Sequence, residues 1–155
     1  MAKLFRFLVF SLLVMAAACS KKDNSQLEKL IIQSEDSQFE YNVEVADSKE
    51  QLYHGLMGRN SLAEDSGMIL DINIVPKDMD VAMWMKDTLI PLDIAFIDEN
   101  GEIFYIYENA EPNSVKPIYP PKRPRAVLEV NAGQFKAKNI KAGAMVKNRL
   151  LDNMD

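Results

Sequence analysis

The 155 residues contain one cysteine, one histidine and one tryptophan. A lone Cys19 excludes any intrachain disulfide. With a lone His54, a tetrahedral zinc site would have to be built mostly from carboxylates, which is unusual. A hydrolytic triad would have to use His54, and the chain has no Gly-x-Ser-x-Gly turn and no phosphate-cradling glycine loop. Basic residues are in deficit: 18 Lys and Arg stand against 23 Asp and Glu, a net charge of −5. That balance gives no electrostatic reason to bind nucleic acid, and anionic headgroups would repel it. Long apolar runs are missing too. The longest, residues 7–18, has 12 positions broken only by Ser11, whereas a span of about 30 Å takes roughly 20 helical residues.

That run nevertheless has a pattern. Lys3 and Arg6 precede it, small residues close it, and Cys19 follows at once, as in an export signal. Met15-Ala16-Ala17-Ala18-Cys19 resembles a bacterial lipobox, with Ala16 where leucine is preferred. Such a cysteine is lipidated and the signal is cut before it. Each buried acyl methylene adds about 0.8 kcal/mol, so several chains give stable anchoring. The expected organisation is a signal peptide over 1–18, a lipidated Cys19 with a polar tether to residue 26, and one globular domain over 27–155. The partner so implied is a membrane, reached through the anchor from the periplasmic side of the cell envelope. Ser20 after the cysteine resembles outer-membrane sorting more than inner-membrane retention. Loss of residues 1–18 would remove Lys3 and Arg6 and no acid, taking the net charge from −5 to −7.

From Leu27 onward the pattern is mostly of strand type. Strict alternation over 39–45 predicts a half-buried strand with Phe39, Tyr41, Val43 and Val45 inward. Asp47 or Ser48, with Glu50 or Gln51 three residues on, can form a capping box. Leu52, Tyr53, Leu56 and Met57 then continue at helical spacing to a stop at Gly58. Gly55 inside that helix costs about 1 kcal/mol, which close approach of another backbone would offset. Strand-type runs return at 67–72, 81–86 and 92–97. Asn100-Gly101 is a hairpin signal followed by a return strand over 103–107. Five of the seven prolines fall between 112 and 124, which predicts a stiff irregular loop. Further strands are expected over 125–131 and 144–150, with a short helix or turn over 133–140. The fold class expected is a β-rich α+β domain: a closed or partly closed barrel or sandwich of about seven short strands, with one or two short helices.

Gly55-Leu56-Met57 with Arg59, Gly67-Met68, Trp84-Met85-Lys86 with Thr88, Pro91-Leu92-Asp93-Ile94, Val127-Leu128-Glu129 with Gly133, and Gly143 together resemble the domain of unknown function 192 family. The resemblance covers about residues 39–146. Two positions depart from the family pattern: Met83 stands where Phe is usual, and Asp87 where Asn is usual. The family implies a small β-rich fold and brings no established activity, catalytic residue or cofactor.

The motif residues carry their own chemistry. In an extended segment Met83 and Met85 go to the core, while Trp84 and Lys86 form an amphipathic lip ending in Asp87 and Thr88. Asp93 shares a face with Ala95 and Ile97, so it is partly buried and needs a partner. Lys86 and Arg59 are the obvious ones. Glu129 shares a face with Val127 and Asn131; with Leu128 and Val130 toward the core it is expected to be solvated. His54 is offset from Leu52 and Leu56 and is expected to be exposed. Thioethers with imidazole suit Cu(I), but methionine also fills irregular cores, and no metal or cofactor is expected.

Three functions stay open. The leading one is a non-enzymatic module that binds a small molecule or an envelope protein, with Arg59, Trp84, Lys86, Asp87, Thr88, Asp93 and Glu129 as candidate ligand-binding residues. The second is a hydrolase-like enzyme using Asp93 or Glu129 with Lys86. The third is a purely structural envelope component. A concave pocket at these residues favours binding or catalysis, and a flat seam favours structure.

Overall fold

A computed structural model describes residues 27–154. The export segment, Cys19 and the tether lie outside the described residues. β1 (Glu28–Gln33) pairs antiparallel with β2 (Gln38–Ala46). α1 (Lys49–His54) then carries the chain over to β3 (Ser66–Asp71), which lies parallel to β2. β4 (Leu92–Ile97) and β5 (Ile103–Ala110) form an antiparallel hairpin. β6 (Ala126–Asn131) inserts between β3 and β4. α2 (Gln134–Ala137) leads to β7 (Met145–Lys147), which pairs with β1. The order β5-β4-β6-β3-β2-β1-β7 makes one seven-stranded sheet, curled into a half-barrel. Its two edges meet where Ile103 N–H donates to the Ala144 carbonyl (2.9 Å) and Val146 N–H to that of Gly101 (2.8 Å).

Two apolar layers hold the sheet. The inner one draws on all seven strands, with Leu30, Tyr41, Ile69, Ala95, Ile103, Leu128 and Val146 among its members and Phe135 of α2 packed in. The outer one joins Met68, Leu70, Ile94, Phe96 and Val127 on the sheet to Leu56, Met83, Met85, Ile90 and Ile118 on the connections that cross it. β4 is therefore buried at every residue, as expected of an unalternating apolar run covered on both faces.

Among the described residues the half-barrel of seven strands and two helices matches the expected class, but its parts differ from expectation in several places, and the closing strand expected over 144–150 is only Met145–Lys147, followed by a 3-10 turn. Residues 81–86 are not a strand. Met83 exchanges hydrogen bonds with Ile118 (3.0 and 2.8 Å) and Met85 N–H reaches the Ser114 carbonyl (2.9 Å); prolines 117, 120 and 121 lack the N–H donors that would extend the ladder. The seventh strand is instead β1. α1 starts on the expected capping box, Ser48 with Gln51, but ends at His54. Gly55, at φ +49°, is its C-cap and not an interior residue. The 98–102 turn has a left-handed residue only at Gly101 (φ +84°). Gly101 N–H donates to the Asp98 carbonyl (3.0 Å) and Asp98 N–H to that of Glu102 (2.9 Å). That is a three-residue hairpin loop, and not the two-residue turn which an Asn-Gly pair favours.

Candidate functional site

The central strand β6 places Glu129 on the outer face, next to Met68 of β3 and Ile94 of β4. Leu128 and Val130 do face the inner core as expected, but the outer face is covered as well. Glu129 is thus 4% exposed and not solvated. The close fit of β3 against it depends on Gly67, where a Cβ would lie 2.5 Å from the Glu129 carbonyl oxygen. Above the carboxyl sit the end of α1 and the 82–88 segment. A small cavity of about 70 Å³ remains between them, lined by Tyr53, Gly55, Met83, Trp84, Thr88 and Glu129 among others. Glu129 Oε2 is buried with no hydrogen-bond partner. Burial alone pushes this carboxyl up to about 7.

Trp84 and Tyr53 form the lip. Their rings meet edge to face at 6.1 Å between centroids, and they are 40% and 61% exposed. Lys86 places its Nζ 5.5 Å from the centre of the Trp84 ring, and Met83 and Met85 are buried beneath. Thr88 is buried, and its Oγ1 donates a long bond to the Lys86 carbonyl (3.4 Å). Asp87 is exposed at φ +55°, a left-handed conformation that Asn and Asp tolerate best. Its carbonyl accepts from Gly58 N–H (2.9 Å), which ties this turn to the loop after α1. Beside the cavity, an apolar groove of about 510 Å³ shares Leu52, Tyr53, Leu70, Ala82, Met83 and Trp84 with it and continues past Val75 and Met79.

The remaining candidates lie elsewhere. Arg59 makes a two-pronged pair with Glu44 of β2 (Nη2 to Oε2, 2.6 Å). Asp93 is wholly buried on the inner face, and its partners are neither Lys86 nor Arg59. It accepts from the backbone amides of Asn109 (2.9 Å) and Phe135 (3.2 Å). Residues 108 and 109 bulge opposite Asp93, because Leu92 pairs with Ala110 but Ile94 with Tyr107. The Phe135 amide belongs to the first turn of α2, whose N-cap Gly133 has no side chain to supply. Asp93 thus caps a helix and fastens a bulge. Its face and that of Glu129 are opposite, so the two acids do not converge.

His54 is exposed as expected, and with Tyr53 and Gly55 it lines the cavity. None of these three was among the candidates, since helical spacing alone does not reveal which turn of α1 overhangs β6. Among the described residues no cluster of His, Cys, Asp or Glu could hold a metal ion, and no helix is long and apolar enough to cross a membrane.

The fold is shared with solved structures. A protein from Sinorhizobium meliloti 1021, described as a "putative transcription regulator", is 34% identical and superposes with a TM-score of 0.74, over 79% of this chain and 94% of its own. A protein of unknown function from Novosphingobium aromaticivorans is 28% identical with a TM-score of 0.76, over 82% and 89% of the respective chains. Comparison with curated proteins gives no match. The family described as DUF192, "uncharacterized ACR", matches residues 30–148, and the chain, matched over well more than half its length, belongs to that family.

Proposed function

We propose that this protein is a non-enzymatic binding module, carried on a lipid anchor at the cell envelope, that takes a small amphiphilic molecule into the groove beside α1. One observation carries the binding reading. A buried carboxyl with an unpartnered oxygen lines a small cavity that shares six wall residues with a mostly apolar groove. A fold keeps such a group at a cost of several kcal/mol unless something completes it. Catalysis is the weaker reading. Concerted acid–base chemistry takes a second group in reach; Asp93 is on the other face, Lys86 lies over Trp84, and His54, though in the cavity wall, is exposed with Nδ1 3.3 Å from the Gly55 carbonyl. Nucleic-acid binding is disfavoured, since a chain with net charge −5 has no net attraction for phosphate backbones.

Trp84 is the only tryptophan, so its emission reports the lip directly. Short-chain alcohols and amines are expected to shift that emission saturably and to raise the melting temperature. Ala82→Phe, which fills the mouth common to groove and cavity, is expected to abolish both responses. Unsaturable responses, or equal ones in the variant, would discard the reading.

The anchor is supported by Lys3, Arg6, the apolar run over 7–18 and Cys19. Cys19→Ser is expected to lose acyl labelling and to leave the membrane fraction, or else to retain an uncleaved signal. Processed Cys19→Ser protein still bound to membranes would end that part of the proposal.

A further inference from the structure

We infer that the head group received by the cavity is a small cation, a primary ammonium, which completes an ion pair with Glu129 beneath the Tyr53–Trp84 lip. The inference deepens the binding reading above and rests on it.

The composition of the cavity wall carries the argument. Its lining is apolar or aromatic except for Thr88, His54 and Glu129, and Glu129 is its one carboxyl. That carboxyl has Oε2 turned to no donor, and a Cβ placed on Gly55 would come within 3.8 Å of this same oxygen. The missing Gly55 side chain is thus part of the space above it. Two nearby cations already have partners, and Lys49 lines the groove and not the cavity. Arg59 is held by Glu44 on the far side of Met68, and Lys86 rests over Trp84. The wall therefore holds an acceptor without its donor. An ammonium supplies both the positive charge and the N–H donors that a desolvated carboxylate lacks. The lip favours the same chemistry, because Trp and Tyr faces attract cations, as the position of Lys86 over Trp84 illustrates. Volume sets the size. About 70 Å³ admits a small head, and the groove of about 510 Å³ takes an apolar body.

Binding a cation here requires Glu129 to be ionised, so the ligand displaces the carboxyl proton to solvent. Other ionisable groups on the elements packed around Glu129 are Tyr53 and His54 in the cavity wall, Lys49 and Glu50 earlier on α1, Lys86 and Asp87 on the crossing segment, and Asp71 on β3 and Asp93 on β4; the Arg59–Glu44 pair lies one strand further out. The shift of Glu129 comes from burial and not from these charges.

The test uses the purified protein with hexylammonium, 1-hexanol and hexanoate as probes, read by Trp84 emission and by calorimetry. Hexylammonium is expected to bind about tenfold more tightly than hexanol at pH 8, an advantage that falls to about twofold in Glu129→Gln. Without any variant, the hexylammonium affinity should rise roughly tenfold from pH 6 to pH 8 while that of hexanol does not, as one ionisation near pH 7 requires. Calorimetry in two buffers should record release of a proton below pH 7. Hexanol or hexanoate binding as tightly as hexylammonium would overturn the cation inference and leave the groove reading standing. Failure of all three to bind would overturn both.

Discussion

Replacing Asp93 with alanine is expected to cost the fold about 3–5 kcal/mol, read as a lowered denaturant midpoint. The carboxylate is wholly buried, and each oxygen takes one backbone amide, Asn109 in the β5 bulge and Phe135 in the first turn of α2. Alanine leaves both donors without a partner in the interior, and each stranded donor costs about 1–3 kcal/mol. Asn109 is also held at φ +52°, a conformation that its anchoring bond maintains. Asparagine keeps one acceptor oxygen and should lose about 1–2 kcal/mol, because its amide nitrogen meets a second donor. Lys86→Ala should change stability by less than about 0.5 kcal/mol, and the Lys86/Asp93 double variant should be additive, since the two side chains share no partner. An Asp93→Ala protein within about 1 kcal/mol of the parent would contradict this role.

The sequence supports the barrel well where alternation or turn chemistry is local. Tyr41 and Val43 point inward as their spacing predicts, Ser48 and Gln51 cap α1, and residues 92–97 are a strand end to end. Legibility stops where a decision depends on what lies above a strand. The two-residue period of a strand places Glu129 and Asp93 on the correct faces of β6 and β4, with Leu128, Val130, Ala95 and Ile97 inward. What the alternation cannot reveal is that the outward face of β6 is roofed by α1 and the 82–88 segment, which converts an expected surface acid into a buried one. A signal was present: β4 and β6 are nearly continuous apolar runs, the mark of strands covered on both sides. The 81–86 run failed in the opposite direction. Its alternation is real, with Met83 and Met85 buried and Trp84 exposed, yet among the described residues its backbone hydrogen bonds to other segments go to the proline-rich 112–124 loop, which lacks the donors for a ladder. The partners of Asp93 were hidden for a further reason, as backbone amides leave no trace in a residue pattern.

Stability is expected to fall with rising pH through the ionisation of Glu129, by roughly 3 kcal/mol relative to a Glu129→Gln variant. The sign follows from the proton inventory. In the unfolded chain this carboxyl titrates near 4.5, and in the folded protein near 7 because burial disfavours its charged form. Between those values the native state holds a proton that the unfolded state has released, so raising the pH favours unfolding. Below the unfolded value both states are protonated and the group costs nothing through ionisation. Above the folded value both are ionised, and the whole penalty of an unpaired buried charge is present. Glutamine has nearly the same shape and no ionisation, so the difference between variant and parent isolates this one group; His54 and the surface acids occur in both and drop out. The measurement is the unfolding free energy of the two proteins from pH 5 to pH 8. The parent should lose ground to Glu129→Gln progressively between pH 5 and pH 7 and hold a constant deficit beyond. A difference that stays constant within about 0.5 kcal/mol over that range would mean the carboxyl is solvated or paired in solution, and the cavity would lose its unpartnered acceptor. Hexylammonium added at pH 8 supplies the counter-charge, so it should stabilise the parent more than Glu129→Gln and narrow the deficit between them.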